Sequence, residues 1–154
     1  MEREITQTLK QQLLSECLAI QENNVRTAHE AMLASQESAN EQKGTMGDKF
    51  ESFREQMQID RDMYARQYDE GMQVMRELKK IDPEARQQAA VLGAVVITDK
   101  QKFFISASLG QIAMGNDTYM AISIHSPLFK AMAGKKAGET FSFRDKVYKV
   151  QDIL

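Results

Sequence analysis

The chain has 154 residues, a formal net charge of −2, 42% hydrophobic and 27% charged residues. That suits one ordinary domain or two small ones, and it excludes a disordered chain. No apolar run reaches the roughly 18 residues that a membrane span needs, and the near-neutral charge argues against a protein that clamps long nucleic acid alone. The single Cys17 excludes an intramolecular disulfide and a paired-cysteine metal knuckle. The first residues mix charged with apolar side chains, unlike a secretory signal, so a reducing cytoplasm is the expected compartment.

The average conceals a division. Residues 1–82 carry 11 Lys/Arg against 16 Asp/Glu, whereas residues 83–154 carry nine against six. The first part has no proline and is rich in Glu, Gln, Lys, Met, Leu and Ala, which are good helix formers. The second holds both prolines and the β-branched and aromatic runs VVIT, KFFIS, YMAISI, FSF and VYKV.

Within the first part, Leu9, Leu13, Cys17, Ile20, Ala28, Ala31 and Ala34/Ser35 recur at steps of three and four. A second stripe runs through Phe50, Phe53, Met57, Tyr64, Tyr68, Gly71/Met72, Met75 and Leu78. Both spacings predict helices with a coiled-coil seam. Gly44 and Gly47 in a polar stretch between them predict a break, and Asp48 followed by Glu51 reads as an N-cap with its capping-box acid. The expectation is an antiparallel helical hairpin over 1–82 with its tip near 40–51. Its seam, with small residues, Asn24 and Thr27, is poor for a strong intermolecular zipper, so a monomer is expected. Helices of this length are too long to be buried in a 64-residue domain and are expected to project from it as an arm.

After Pro83 a short linker, 83–90, precedes a small domain over 91–154. The runs predict strands at Val91–Thr98, Lys102–Ser108, Thr118–Ile124, Glu139–Phe143 and Lys146–Ile153. A loop passes through Gly110 and Gly115, and a turn falls at Arg144-Asp145. Ser126 as N-cap and Pro127 at the first helical position predict a helix ending near Gly134. The fold class is therefore α+β: a helical hairpin, then an antiparallel sheet of about five strands with one short helix.

The stretch Ile122-Ser-Ile-His-Ser-Pro-Leu-Phe-Lys-Ala-Met-Ala-Gly-Lys-Lys-Ala-Gly-Glu-Thr-Phe resembles the signature of the Gre transcript-cleavage factors of bacterial RNA polymerase. The match is best at Ser126, Pro127, Lys130, Ala131, Gly134, Lys135, Gly138 and the acid Glu139. The resemblance implies an FKBP-like C-terminal domain behind an N-terminal coiled coil. It also implies a docking surface on the polymerase at His125, Ser126, Pro127 and Lys130, with His125 where the family more often has Asp or Asn. At the tip, Gly47-Asp48-Lys49-Phe50-Glu51 retains the family's Gly-Asp-x-x-Glu frame, while Ser52, Phe53, Arg54 and Glu55 depart from its Asn-Ala-Glu-Tyr. By resemblance, Asp48 and Glu51 are the catalytic and metal-holding acids. They enter the polymerase secondary channel and help hold a magnesium ion that assists cleavage of backtracked RNA. The chain would not be an enzyme by itself, would bind no metal stably alone, and would contact RNA only within the polymerase complex.

Two carboxylates at i and i+3 share a face of the first helical turn and suit a hard cation that keeps most of its waters. The plainer reading, a helix cap and its capping-box acid, is compatible with that one. Two rival functions remain: a channel-occupying regulator without cleavage, to which the altered Ser52–Glu55 stretch points, and an FKBP-like interaction module on a helical stalk. A prolyl isomerase is disfavoured, because no Trp is present to floor its pocket. Cys17, His29 and His125 lie too far apart along the predicted elements to suggest nucleophilic catalysis, and Cys17 reads as seam packing. Asn116-Asp117-Thr118 matches a glycosylation sequon that has no meaning in a cytoplasmic protein. Lys130, Lys135, Lys136 and Lys102 outline a mild basic face, and the ten methionines read as seam and core filler.

Overall fold

A computed structural model of the chain describes residues 2–41 and 48–154, with side chains over 4–38 and 51–154. Two long helices, α1 (Glu2–Glu41) and α2 (Asp48–Lys79), precede six strands and one short helix. The strands are β1 (Val95–Thr98), β2 (Lys102–Ser106), β3 (Gly110–Met114), β4 (Asp117–Ser123), β5 (Thr140–Phe143) and β6 (Lys146–Ile153). The helix α3 (Pro127–Met132) lies between β4 and β5. This is the α+β class that the sequence predicts. The chain forms two compact units, residues 1–20 with 76–154, and residues 21–75.

In the second unit, α1 and α2 run antiparallel. Gln21 donates its amide to the Gly71 carbonyl at 2.8 Å, and His29 packs its ring on Tyr68 with centroids 5.2 Å apart. As numbering rises in one helix it falls in the other. The seam of α1 passes through polar side chains that the apolar stripe omits: Lys10 and Gln21 are as buried as Leu13, Cys17 and Ala28. On α2, Phe53 turns out of the seam and is 42% exposed, while its neighbour Arg54 is half-buried. The expected turn at Gly44 and Gly47, and the seam position of Phe50, lie outside the described residues.

In the first unit the strands form one sheet in the order β3-β4-β2-β1-β6-β5. Three features differ from the sequence reading. The stretch expected as a loop through Gly110 forms β3, paired antiparallel to β4. The neighbours β2 and β4 are parallel, from Lys102↔Tyr119 to Ser106↔Ser123, so the sheet is mixed. Strand β1 begins at Val95 rather than Val91, because residues 91–94 form a turn closed by Ala94 N–H to Val91 O, from which Gly93 N–H reaches Ile105 O of β2. The expected turn at Arg144-Asp145 is present, both residues having positive φ (49° and 65°), as a two-residue hairpin of right-handed twist requires.

One face of the sheet packs on α3. Phe103, Ile105, Met132, Phe141, Tyr148 and Val150 form its core, with Phe141 stacked on Tyr148 at 4.9 Å. The alternate residues of β2, Phe104 and Ser106, are also buried, on the opposite face. There the first turns of α1 cover the sheet, with Cys17 Sγ 3.7 Å from Ser106 Oγ. A central strand covered on both sides reads as a continuous apolar run instead of an alternation, which is why KFFIS shows no period of two. No helix among the described residues is long and apolar enough to cross a membrane.

Candidate functional site: the Ser-Pro corner and the arm acids

The corner between β4 and α3 is built by Ser123 and Ser126. The Ser126 hydroxyl donates to Ser123 O at 2.7 Å and accepts from Phe129 N–H at 3.2 Å. The Ser126 backbone is extended (φ −76°, ψ 148°), as an N-cap must be, and Pro127 follows at the first helical position, where no N–H is missed. The Ser123 hydroxyl in turn accepts from His125 N–H at 3.0 Å. Two short side chains thus fix the entry into α3 and leave His125, Pro127 and Lys130 exposed around it.

His125 is held from the side. Its Nε2 lies 3.6 Å from Glu77 Oε1 on the last turns of α2, and its side chain remains 70% exposed. The four predicted docking residues are therefore brought together, three at the surface and Ser126 as the bracket beneath them. Gly134 and Gly138, which belong to the same motif, have φ of 74° and 93°, values that an L side chain rarely adopts.

The basic face divides. Lys130 and Lys136 are exposed and Lys135 half-buried, around α3. Lys102 belongs to the other face of the sheet, in register with Tyr119. There it pairs with Asp117 at 2.8 Å, and that partner holds its ammonium above the usual lysine range.

At the arm acids, the backbone is helical from Asp48 onward, and Glu51 stands three residues later with its side chain exposed. The Asp48 side chain, and with it the capping interaction, lies outside the described residues. Among the described residues no group of three or more His, Cys, Asp or Glu is gathered tightly enough to hold a metal. The spacing of Asp48 and Glu51 suits a magnesium ion only if further ligands come from a partner, since this ion is bound by one or two carboxylates and otherwise by water or phosphate.

Cys17, His29 and His125 each have their own partner and form no catalytic set: Ser106, Tyr68 and Glu77 respectively. Burial pushes the Cys17 thiol up to about 11, so it is neither a nucleophile nor a thiolate ligand at neutral pH. Sequence reasoning missed Lys10, whose ammonium reaches Ala85 O at 2.6 Å in a buried site. Its only signal is position: it lies three residues before Leu13 and seven before Cys17, on the same helical stripe.

Neither a family model nor a curated relative matches this chain. Among solved structures it is similar to the GreA factor homolog Gfh1 of Thermus thermophilus, at 14% identity over 93% of both chains with a TM-score of 0.34. A second structure of the transcription factor Gfh1 aligns at 17% identity over 88% of this chain and 92% of that one, with a TM-score of 0.35.

Proposed function

We propose that the chain is a Gre-like factor of bacterial RNA polymerase, acting in the cytoplasm as a monomer without a membrane. The α3 corner docks on the polymerase, and the arm acids enter its secondary channel. The observation that carries this reading is that the residues of the Gre-like motif hold the structural posts such a motif needs. Ser126 caps α3, Pro127 opens it, Gly134 and Gly138 take left-handed turns, and His125 and Lys130 stay exposed beside them. The helical hairpin that must precede that domain is also present.

Asp48 and Glu51 would hold a magnesium ion jointly with the polymerase. Such an ion, when bound, neutralises charge on the phosphodiester and favours attack by water. This chain's own contribution is to carry two oxygen-bearing groups on a preformed helix, so that ordering them costs little at the moment of reaction. The second reading, a channel-occupying regulator without cleavage, is favoured by Phe53 and Glu55, exposed two and four residues beyond Glu51 where the family pattern has Ala and Tyr.

The deciding experiment incubates the purified chain with a stalled, backtracked elongation complex. Shortened RNA supports the first reading. Slowed or blocked polymerase with RNA of full length supports the second. No effect and no binding to polymerase overturns both and leaves an interaction module on a helical stalk.

A further inference from the structure

Lysine is almost never fully buried without a charged partner, because its ammonium loses its hydration there. Lys10 is 1% exposed. It makes one hydrogen bond, to Ala85 O, and no ion pair with any carboxylate among the described residues. An ammonium has three N–H donors, so its donor capacity is only partly used. Burial pushes its pKa below the ordinary 10.5, and the more distant charge of Asp82 opposes that only in part.

A cavity of about 220 Å³ adjoins it, lined by Thr6, Gln7, Lys10, Glu84 and Arg86 together with Pro83 and Ala85. Water occupies about 30 Å³ per molecule in the liquid, so the space exceeds that of a single bridging water several-fold. Its lining holds two cations, a hydroxyl and an amide against one carboxylate. Asp82, which also bears on Lys10, already accepts from Glu84 N–H at 2.9 Å and so shapes the turn. Glu84 and Arg86 are exposed and have no ion-pair partner among the described residues.

We infer that this cavity binds a small oxyanion of the phosphate class, with Lys10 as the buried point charge and Arg86 as the fork at the mouth. Phosphate fits better than a carboxylate because it offers acceptor oxygens in more directions. A guanidinium can take two of them in charge-assisted bonds, the strongest available, and the buried ammonium adds its positive charge from beneath. Thr6 and Gln7 supply neutral donors from α1, and Glu84 is the one acid of the lining. The ligand supplies the counter-charge that the fold withholds from Lys10. This inference rests on no part of the proposed polymerase function.

The test is calorimetric titration of the full chain at constant ionic strength, with sodium phosphate in one arm and a nucleoside triphosphate without magnesium in the other. Saturable binding is expected in at least one arm, weakened about tenfold by Arg86→Gln, as loss of one charge-assisted bond implies. Lys10→Met, which keeps the buried stem, should abolish it. Arg86 is exposed, so that variant keeps the fold, to be checked by circular dichroism. In the same samples, nuclear magnetic resonance of the Lys10 side chain should show its pKa rising when the anion binds. Comparable affinity in both arms identifies the free anion as sufficient. Much tighter binding of the nucleotide identifies the phosphoryl group of a larger ligand. Absence of saturable binding in both arms overturns the site, as does binding that both variants leave unchanged. Lys10 is then only a buried clasp for Ala85.

Discussion

Cys17 shows how burial alone decides what a side chain can do. It is 0% exposed, and its nearest polar neighbour is the Ser106 hydroxyl. The folded thiol titrates near 11 against an ordinary 9.0. A raised folded pKa means that the native state holds its proton longer than the unfolded chain. The associated stability is complete below pH 9 and is lost as pH climbs through 11, amounting to roughly 3 kcal/mol. Wild-type protein should therefore lose stability relative to Cys17→Ala between those values, as urea midpoints at pH 8, 9, 10 and 11 will show. The thiol should also stay unmodified by Ellman's reagent at neutral pH until the fold is opened. Gly71 is decided by space instead. A Cβ there would lie 3.0 Å from Val25 Cγ2 and 3.3 Å from Gln21 Nε2. Alanine gains about 1 kcal/mol of helix propensity over glycine. Val25 is β-branched and stiff in its helix, and overpacking costs about 1–3 kcal/mol, so the clash wins. Gly71→Ala should lower stability slightly and Gly71→Leu severely, as thermal unfolding of each will show.

Among the elements, α3 depends most on a single residue. It has six residues, too few for propensity to hold it, and the free N–H of Phe129 in its first turn is met by the Ser126 hydroxyl. Ser126→Ala removes the cap and the bond to Ser123 O together, so a loss of about 1–2 kcal/mol is expected. Ser126→Asp should recover part of it, since a carboxylate still accepts from Phe129 N–H. If the corner docks on polymerase, the same alanine variant should weaken binding, whereas Asp48→Ala with Glu51→Ala should leave it nearly intact. Co-sedimentation with core polymerase separates these outcomes. On the proposed reading the acids Asp48 and Glu51 act later, in the transition state. Asp48→Asn keeps a cap-competent side chain without charge, and it should abolish stimulated RNA cleavage while helix content, followed by circular dichroism, stays unchanged. Raising magnesium should restore only part of the activity.

For the molecule as a whole, the instructive fact is that the compact unit containing the sheet includes residues 1–20. Leu13, Cys17 and Leu78 are fully buried there, and the face of β2 bearing Phe104 and Ser106 is closed by helix rather than by solvent. A fragment 83–154 keeps every strand and α3 but uncovers that face. Each buried leucine it lacks is worth about 2 kcal/mol, and the sum rivals the whole stability of a small domain. Such a fragment should unfold at much lower temperature than the full chain and bind a hydrophobic dye, and calorimetry with dye fluorescence will reveal both. Cooperative unfolding at the temperature of the intact chain would show that the helical turns add nothing.

Periodicity determined the helices, and turn chemistry determined the corner. Steps of three and four place Leu13 and Cys17 on one stripe and Leu78 on a second, whatever the partner, and Ser126-Pro127 start a helix through bonds and angles confined to four residues. The spacing of Asp48 and Glu51 is just as local, but the side chain of Asp48 lies outside the described residues. What the sequence could not carry is pairing between distant segments. Whether β2 meets β4 parallel or antiparallel depends on where β3 is laid down, and Gly110–Met114 has too little apolar alternation to announce a strand. Lys10 and Gln21 look like solvated surface in the sequence. Only the tertiary fold brings Ala85 O to one and Gly71 O to the other, and a buried polar group is tolerated where such an acceptor has been placed.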